Sequence, residues 1–399
     1  MSNQRLQEIK LSRMFNDMSF FLISILTTVT AGDLLWWFHA DHLARRARRP
    51  QLWRGLIAAF VILQLLLISW VILGRFLGPD FVSQQPRIFV ILAYLWHLLL
   101  LPLFLLALGA SYLIQKTSPN RPNLSRRDFV SMLVALAPMA AITGIAGYSL
   151  RQLPEFRIRK ITAKLPSLPK ALDGLRIAVL ADMHVGAFST LETLQNIVNE
   201  TNKLDADLIL LPGDLINNTL SSLPDAMAAV TSMKSRYGAY LCLGNHDVMV
   251  DGDNFIRQAK EKLNMLIDES HLLTINGQKV QLLGLPWNGG EEAIENSVIT
   301  IARHLQPDAF PVLLAHHPHA FDTAAKARIP LTISGHTHGG QLMVNESTGF
   351  GPLMFRYWSG LYQKPEAGHA SLVVSNGVGH WFPLRVNAPA EIVELTLTS

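Results

Sequence analysis

The 399-residue sequence predicts an α/β domain preceded by about four transmembrane helices. The chain is 49% hydrophobic and only 16% charged, which is too apolar for a typical soluble protein, and the apolar excess lies before residue 150. Beyond residue 170, apolar runs of strand length alternate with helix-period segments, a pattern typical of layered strands and helices. We therefore expect a transmembrane region at 1–152, a linker at 153–170 and a globular domain at 171–399.

Four apolar segments are predicted to cross a bilayer, because each has about the 20 residues that a helix needs to span ~30 Å of hydrocarbon. They are residues 18–39, 55–74, 88–115 and 129–150. The first segment contains Asp33, and the third contains His97. These two polar residues indicate either a polar pathway through the bundle or hydrogen bonds between its helices.

The positions of Arg and Lys bear on orientation. Basic residues after the first and third spans favour a cytoplasmic location for those loops, although further basic residues after the fourth span oppose this bias. Arg126-Arg127 before the last span resembles a twin-arginine export signal, while ordinary positive flanking of a helix explains the same pair. We expect the globular domain on the external face.

Charge and cysteine content exclude several classes of function. The net charge is +4, but the basic residues cluster beside apolar spans, so we expect the membrane bilayer and no nucleic acid as a partner. The single cysteine, Cys242, excludes an intramolecular disulfide and a cysteine zinc site. Its apolar surroundings predict a buried structural thiol.

Polar motifs follow the predicted strands of the globular domain. The strands are predicted at 175–181, 208–211, 239–243, 312–315 and 331–334, with a helix at 190–203 that Ser189 and Glu192 cap as a capping box. The motifs are Asp182-Met183-His184, Gly213-Asp214, Gly244-Asn245-His246-Asp247, His316 and Gly335-His336-Thr337-His338. Since α/β folds build their sites on loops at strand ends, we expect these motifs to meet.

The residue types in the motifs favour two divalent metal ions. Carboxylate, imidazole and amide oxygen suit Mn, Fe, Zn or Mg. A carboxylate such as Asp214 can bridge two ions ~3.5 to 4 Å apart, a separation suited to phosphate chemistry. Taken singly, Asp182 could be a helix cap and His316 a core histidine, but the ordered set argues against both explanations.

In this order the motifs resemble the calcineurin-like metallophosphoesterases, whose pattern D-x-H, G-D, G-N-H-[DE], H and G-H-x-H is matched across residues 182–338. The resemblance implies a four-layer α-β-β-α sandwich and a metal-dependent phosphoric ester hydrolase with a phosphoester substrate. It implies a first metal on Asp182, His184 and His338, a second on Asn245, His316 and His336, and Asp214 as the bridge.

The resemblance also implies two catalytic residues. His246 would protonate the leaving oxygen or stabilise the phosphoryl group without binding metal, and Asp247 would hold His246. The H-x-P form of His316-His317-Pro318 selects His316 rather than His317 as the ligand.

The C-terminal part resembles the bacterial membrane-associated branch of the family, in residues 358–362, 375–379 and 383–385. That branch includes twin-arginine-exported phosphodiesterases and UDP-2,3-diacylglucosamine pyrophosphohydrolases, so the resemblance implies a protein of the bacterial inner membrane. The four predicted spans make the protein multi-pass and depart from the branch's usual single anchor. A pyrophosphohydrolase on the cytoplasmic face, and a scaffold or transporter without turnover, are the alternatives.

Apolar and basic side chains near the C-terminus bear on the substrate. One set forms either an apolar lip that admits acyl chains of a lipid or the core of the second sheet. The set is Phe350, Leu353, Met354, Phe355, Tyr357, Trp358, Trp381 and Phe382. Arg385 either binds a substrate phosphate or pairs with a carboxylate. The sequence does not fix the native metals or the oligomeric state.

Overall fold

The computed structural model divides the chain into two compact units, Met1–Leu150 and Arg151–Ser399. It describes residues 3–47, 49–77, 81, 85–117, 124–249, 251–345, 348–349 and 351–399. Within these, the side chains at 3–23, 75–77, 111, 114–117 and 124–136 are not described.

The N-terminal unit is helical. Its helices are α1 (Asn3–Ala44), α2 (Pro50–Leu77), α3 (Arg87–Tyr94), α4 (Leu101–Thr117) and α5 (Leu124–Gln152), and a π-helical turn, Leu95–Leu100, joins α3 to α4. Aromatic rings fill the interior: the Trp36 and Trp96 ring centroids are 5.0 Å apart at 81°, and those of Phe60 and Trp96 are 4.7 Å apart at 84°. Such edge-to-face contacts add to the free energy that burial of the rings provides.

Two segments of the described chain, Pro50–Gly74 and Arg87–Ala110, are long and apolar enough to cross a membrane. They coincide with the predicted spans 55–74 and 88–115. The predicted spans 18–39 and 129–150 lie in α1 and α5 and include positions whose side chains are outside the described part, as are those of Arg126-Arg127. Two candidate spans are therefore supported, and not the predicted bundle of four.

The C-terminal unit contains two six-stranded sheets. The first has the order β1-β14-β2-β3-β4-β5, and the second has the order β12-β13-β9-β8-β7-β6. The strands of the first sheet are β1 (Arg157–Lys164), β2 (Arg176–Val179), β3 (Leu208–Leu211), β4 (Ala239–Leu241), β5 (Asn264–Met265) and β14 (Glu391–Thr398). Those of the second are β6 (Glu269–Ile275), β7 (Gln278–Gly284), β8 (Ala309–Leu314), β9 (Leu331–Ser334), β12 (Gly360–Lys364) and β13 (Ala370–Val374). Strands β10 (Met343–Asn345) and β11 (Thr348–Gly349) form a separate pair.

Helices cover the outer face of each sheet. On the first sheet they are α6 (Leu191–Lys203), α7 (Leu223–Ser232) and α9 (Gly252–Lys260), and on the second they are α10 (Glu291–Ala302) and α11 (Ala320–Lys326). Two short helices, α8 (Asn245–Val248) and α12 (Gly351–Met354), follow β4 and β11 along the chain. Side chains such as Leu210 and Cys242 of the first sheet pack against Val312 of the second. On the outer faces, Ile209 packs with α6 and α7, and Leu313 packs with α10 and α11. The resulting order of layers, helix, sheet, sheet, helix, fits the expected α-β-β-α sandwich.

Local chemistry explains two differences from the predicted elements. Strand β1 lies within residues 153–170, which were predicted to be a linker, and it pairs in parallel with β14. The alternation that places Ile161 and Ala163 in the core also places lysines outward, so the basic character hid the strand. Helix α6 is capped by Thr190 rather than Ser189, because the Thr190 side chain accepts a hydrogen bond from Thr193 N.

Candidate functional site

All seven predicted metal ligands lie at the C-terminal ends of strands. Strands β2, β3 and β4 of the first sheet are mutually parallel, as are β7, β8 and β9 of the second. The carboxyl ends of parallel strands meet at one edge, so the loops after β2, β3 and β4 face those after β8 and β9. Backbone hydrogen bonds fix the spacing: Asp182 N donates to Gly213 O at 3.1 Å, and His184 N donates to Asp214 O at 3.0 Å.

Five of the seven predicted ligands have a left-handed backbone. Their φ angles are 52° at Asp182, 42° at His184, 55° at Asp214, 72° at His336 and 49° at His338. Non-glycine residues rarely adopt this conformation, and it persists where the surrounding structure imposes it, which is common at functional sites. The backbone therefore marks the same positions that the motifs selected.

Two motif glycines permit the loops to approach each other. A Cβ on Gly335 would lie 2.3 Å from Asp182 Oδ2, and a Cβ on Gly244 would lie 2.1 Å from Asp214 Oδ1. Both distances are shorter than any packing contact. Any larger residue would displace a predicted ligand.

The first ligand group consists of Asp182, His184 and His338, all of them buried. The Nε2 atoms of the two histidines are 2.9 Å apart, and His338 Nε2 is 3.5 Å from Asp182 Oδ1. Burial holds the pKa of each of the two histidines well below its ordinary value, so both rings are neutral. A neutral imidazole offers a lone pair to a metal ion.

The second ligand group consists of Asn245, His316 and His336. Asn245 Oδ1 is 3.1 Å from His316 Nε2 and 3.0 Å from His336 Nδ1, and the two ring nitrogens are 3.1 Å apart. His316 Nδ1 donates to Pro212 O at 2.8 Å, which directs Nε2 toward the group. These three atoms converge on one point, and a bound cation suits them once His316 Nε2 has no proton.

Asp214 lies between the two groups. Its Oδ2 is 3.5 Å from His184 Nε2 and 3.2 Å from His316 Nε2. Potential ligand atoms lie within 4.8 Å of one another in three sets: Asp182, His184 and His338; His184, Asp214 and His246; and Asp182, Asp214 and His316. Two of these sets share Asp214, as a bridging carboxylate requires.

The charges in the site are arranged around Asp214. Burial alone would lower the pKa of His316, but the adjacent Asp214 carboxylate outweighs burial and raises it to about 9. Burial alone would raise the pKa of Asp214, and the interaction with His316 instead holds it below its ordinary value. At neutral pH His316 therefore carries a proton, and a metal ion at this position must displace that proton.

His246 and Asp247 have different surroundings. His246 is partly exposed, its ring packs edge-on against His184 at 4.6 Å, and its Nδ1 contacts Asn217 O. Asp247 is buried, and its carboxylate accepts hydrogen bonds from the backbone N–H groups of Asp214, Leu215, Ile216 and Gly244 at 2.8 to 3.1 Å. The carboxylate thus joins the loops after β3 and β4, while a backbone carbonyl contacts the His246 ring.

Arg385 is only 3% exposed. Its Nη2 donates to His338 Nδ1 at 2.8 Å, and its Nη1 donates to Asn376 O at 2.6 Å. Because an arginine only donates, His338 Nδ1 accepts this bond and the ring hydrogen lies on Nε2, so the ring must change tautomer before Nε2 can bind a metal ion. The contacts fix the orientation of the His338 ring, which supports a positioning role for Arg385. Phosphate binding by Arg385 stays a prediction.

Two aromatic rings that the sequence did not select as site residues form part of the rim. Trp287 lies 5.3 Å from His336 and 5.5 Å from His316 between ring centroids, and His317 lies 4.7 Å from His336. Burial lowers the pKa of His317 to about 3, so this ring is neutral. Trp287 and His317 lie in loops after β7 and β8, and strand-end position was the signal that could have identified Trp287.

The predicted apolar lip is divided between core and surface. Tyr357, Trp358 and Phe382 are buried, as core packing predicts, whereas Leu353 is 80% and Met354 72% exposed. Between these extremes, Phe355 packs against His336 at 5.6 Å, and Trp381 lies 6.4 Å from His246. Phe350 is outside the described residues.

Comparison with known proteins identifies the family. Residues 175–340 match the model of the calcineurin-like phosphoesterases, a range that includes both ligand groups. This part of the chain is a calcineurin-like metallophosphoesterase domain. Members of this family are metal-dependent phosphoester hydrolases, and this chain is an enzyme of that class.

Three relatives show how far the similarity extends. The "transmembrane protein with metallophosphoesterase domain" of Danio rerio is 27% identical over 94% of this chain and 89% of its own length. An uncharacterized metallophosphoesterase of Helicobacter pylori is 28% identical over 74% of this chain and 78% of its own length. The uncharacterized metallophosphoesterase YkuE of Bacillus subtilis is 26% identical over 69% of this chain and 98% of its own length. Similarity therefore extends into the N-terminal unit in the animal relative.

Proposed function

We propose that this metallophosphoesterase is a membrane-anchored, dinuclear hydrolase of phosphodiester or phosphomonoester bonds in lipid or envelope-associated substrates. The position of Asp214 carries the proposal, because its Oδ2 lies 3.5 Å from a ring nitrogen of the first ligand group and 3.2 Å from one of the second. One carboxylate between two sets of acceptor atoms suits a pair of ions better than a single ion.

The donor set fits two divalent ions of Mn, Fe, Zn or Mg, since it contains carboxylates, imidazoles and an amide but no thiolate. Asp182, His184 and His338 would hold the first ion, Asn245, His316 and His336 the second, and Asp214 both. When bound, the ions withdraw charge from phosphate oxygens and lower the pKa of coordinated water.

His246 is the proposed proton donor to the leaving oxygen. The ring is partly exposed, and a backbone carbonyl at Nδ1 requires a proton on that nitrogen, which leaves Nε2 to exchange a proton with substrate. Asp247 positions this residue indirectly, since its four backbone hydrogen bonds hold the turn on which His246 lies.

Exposed apolar side chains support a lipid substrate. Leu353 and Met354 point to solvent on the short helix α12, and the next residue, Phe355, packs against His336 of the second ligand group. An apolar surface that continues to a metal ligand suits a substrate with a phosphate beside an acyl chain.

The N-terminal unit is the proposed anchor. Pro50–Gly74 and Arg87–Ala110 supply two spans, and we propose that the segments 18–39 and 129–150 cross as well, giving a multi-pass protein of a bacterial plasma membrane. The name of the Danio rerio relative includes "transmembrane", which supports membrane anchoring. Because this relative is an animal protein, it does not support a bacterial source. The external face is proposed for the catalytic unit, on the basis of the Arg126-Arg127 pair and the basic loops.

A pyrophosphohydrolase of an acylated nucleotide sugar is the second candidate, because the same apolar surface would suit its acyl chains. Nucleotide sugars are cytoplasmic, so this candidate requires the catalytic unit on the cytoplasmic face. A scaffold or transporter without turnover is less well supported, because the ligand set is complete.

A substrate screen tests the proposal. The full chain, reconstituted in lipid nanodiscs with Mn, Zn or Mg, is assayed on phospholipids, a nucleotide sugar and bis(p-nitrophenyl) phosphate, with Asp214→Asn as the inactive control. We expect metal-dependent hydrolysis that is fastest on the lipid esters. Hydrolysis of the nucleotide sugar alone would favour the second candidate, and no turnover with any metal would contradict both.

The membrane side needs a separate measurement. A C-terminal reporter that is active only outside the cytoplasm is compared in the natural chain and in the Arg126→Lys, Arg127→Lys double variant. An export signal requires the guanidinium pair, whereas charge-based topology treats Lys and Arg alike. An external reporter that is unaffected by the double substitution would contradict the export signal.

A further inference from the structure

Four exposed apolar side chains lie on the segments that lead to the rim of the metal site. They are Val344 of β10, Leu353 and Met354 of α12, and Val386, and we name them the apolar patch. Val344 is 69% and Val386 40% exposed, and the two side chains of α12 are more exposed still. Single apolar side chains are normal on a protein surface, but a group of them beside a functional site indicates an interaction surface.

A small buried cluster supports the patch from inside. Met343, Trp358 and Ala388 form this cluster, and Phe355 packs against it. Side chains alternate along a strand, so Met343 of β10 is buried and its neighbour Val344 is exposed. The patch is therefore carried on a packed base.

Backbone contacts join the segments that carry the patch. Met343 N donates to Val386 O at 2.7 Å, and Val386 N donates to Gln341 O at 2.9 Å, so Val386 lies beside β10. Gly351, the first residue of α12, lies against the Trp358 ring, because a Cβ there would be 2.4 Å from a ring atom. Helix α12 and strand β10 thus pack on the same cluster.

The patch carries no charge in the part of the chain that the structure describes. No described residue of its segments is an Asp, Glu, Lys or Arg, and Glu346 lies outside the described residues. The segments are 341–345, 348–349, 351–355 and 386–388. Arg385, next to Val386, is buried, and Arg356, next to Phe355, is paired with Asp322. Removal of the described patch from water therefore desolvates no unpaired charge.

The chain enters the C-terminal unit beside the loop that carries Val386. Gln152, the second residue of this unit, donates from Nε2 to Pro383 O at 3.1 Å, and Pro383 precedes Val386 by three residues. Gln152 is also the last residue of α5, whose earlier residues belong to the unit with the two candidate spans. The entry point of the chain and the patch therefore share one loop.

We propose that the apolar patch docks into the interfacial region of the lipid bilayer. This docking rests on the proposed membrane anchoring and adds a second contact, made by the catalytic unit itself. Apolar faces of peripheral helices enter the boundary between headgroups and acyl chains by ~5 to 10 Å. Phe355 follows Met354 directly and packs against His336 at 5.6 Å between ring centroids. Docking therefore brings the second ligand group to the level at which lipid phosphates lie.

Nitroxide spin labels measure the depth of the patch in the full chain in nanodiscs. Val344→Cys and Leu353→Cys each carry one label, and collisions with oxygen, which concentrates in lipid, are compared with collisions with a water-soluble nickel chelate. Cys242 is buried, and the unsubstituted chain is the labelling blank. We expect a ratio of oxygen to nickel collisions several-fold higher than at Ile299→Cys, an exposed apolar position on α10.

Two further sets of variants separate docking from anchoring. Leu66→Cys, exposed on α2 within a candidate span, reports whether the chain is inserted. Val344→Asp in the Leu353→Cys chain places a charge in the patch and should lower the ratio at the label toward the value at Ile299, because a carboxylate resists transfer out of water. Val344→Thr, of the same shape without a charge, is the matched control and should change the ratio little.

Each outcome decides the proposal. It is supported if the labels at Val344, Leu353 and Leu66 all lie in lipid while the label at Ile299 lies in water. Patch labels that collide freely with nickel, with Leu66 in lipid, overturn the docking and leave the anchoring intact. A Leu66 label in water overturns both. Protection from both reagents with dipolar broadening between labels indicates a second copy of the chain and overturns docking to lipid.

Depth is measured without turnover. A loss of the proposed hydrolase activity is therefore detected separately, by the substrate screen.

Discussion

The two ligand groups of the phosphoesterase site differ in burial and in backbone. Asp182, His184 and His338 of the first group are all buried and all have positive φ, whereas Asn245 and His336 of the second group are partly exposed. The rim rings Trp287 and Phe355 lie against the second group. This difference favours the proposal that the first group is a fixed metal site and that solvent and substrate enter at the second group.

Substitution of the shared residue should affect both halves. Asp214→Asn replaces a bridging carboxylate by a neutral amide, and we expect both ions to be weakly held and activity to be lost. Asn245→Ala, in contrast, should weaken mainly the second ion, again with loss of activity. Metal analysis after gel filtration, with exposed Asp308→Asn as the control, decides between these patterns. Two tightly held ions and near-native turnover in Asp214→Asn would contradict the dinuclear assignment.

Substitution of His246 tests whether this residue acts on the substrate without binding a metal ion. His246→Ala should retain both ions while turnover falls ~10²- to ~10⁴-fold, as expected for loss of a general acid. The loss should be smaller on a p-nitrophenyl ester, whose leaving group needs little protonation, than on an alkyl ester. Equal losses on the two esters would favour stabilisation of the phosphoryl oxygens, and loss of an ion would make His246 a ligand.

Substitution of Arg385 tests whether a residue outside the ligand set positions the first ligand group. Arg385→Lys keeps the charge but loses the fork that binds His338 and the Asn376 carbonyl. We expect the affinity of the first ion to fall ~10- to ~100-fold, the range for outer partners of metal ligands, with little change in the second. Competition with a fluorescent chelator measures both affinities, and Arg356→Lys, on an exposed arginine, is the control. An equal loss of affinity for both ions would contradict the division of the site into two distinct ligand groups.

The smallest expected effect is a difference in proton release. The second group contains His316, whose pKa is raised to about 9, while His184 and His338 of the first group are neutral. Metal at His316 must displace a proton, so affinity for the second ion should rise with pH up to about 9. Affinity for the first ion should stop rising near pH 7, because burial raises the pKa of its ligand Asp182 to about 7. Calorimetry at pH 8, in buffers of different ionisation enthalpy, counts the protons released by each ion. An equal release for both ions would contradict the asymmetry.

Sequence was sufficient for features that depend on local pattern. Strands at 208–211 and 331–334 have the predicted bounds, because short, largely apolar runs of that length suit a buried parallel strand. The motifs were likewise identifiable, since each stands directly after such a run. Strand β1 was not, because outward lysines and arginines on an edge strand resemble a solvated linker.

Contacts between distant residues could not be predicted from one sequence. Residues 338 and 385 are separated by a two-stranded pair, a short helix and two strands of the second sheet, so nothing local indicates that Arg385 contacts His338. The same holds for Asp33 and His97, which lie in different helices, although Asp33 Oδ2 is 3.1 Å from His97 Nε2. The sequence around an arginine does not show whether its side chain is buried against other residues or binds substrate. Only the tertiary structure distinguishes these two roles.

The left-handed backbone at five ligand positions restricts which amino acids could ever serve there. Among residues with a side chain, Asn, Asp and His tolerate positive φ best, and β-branched or bulky side chains tolerate it least. At these five positions the backbone therefore favours oxygen and imidazole ligands over sulfur. Cysteine introduced at any of the five should destabilise the fold, and changes of metal preference are better sought in the outer contacts of the existing ligands.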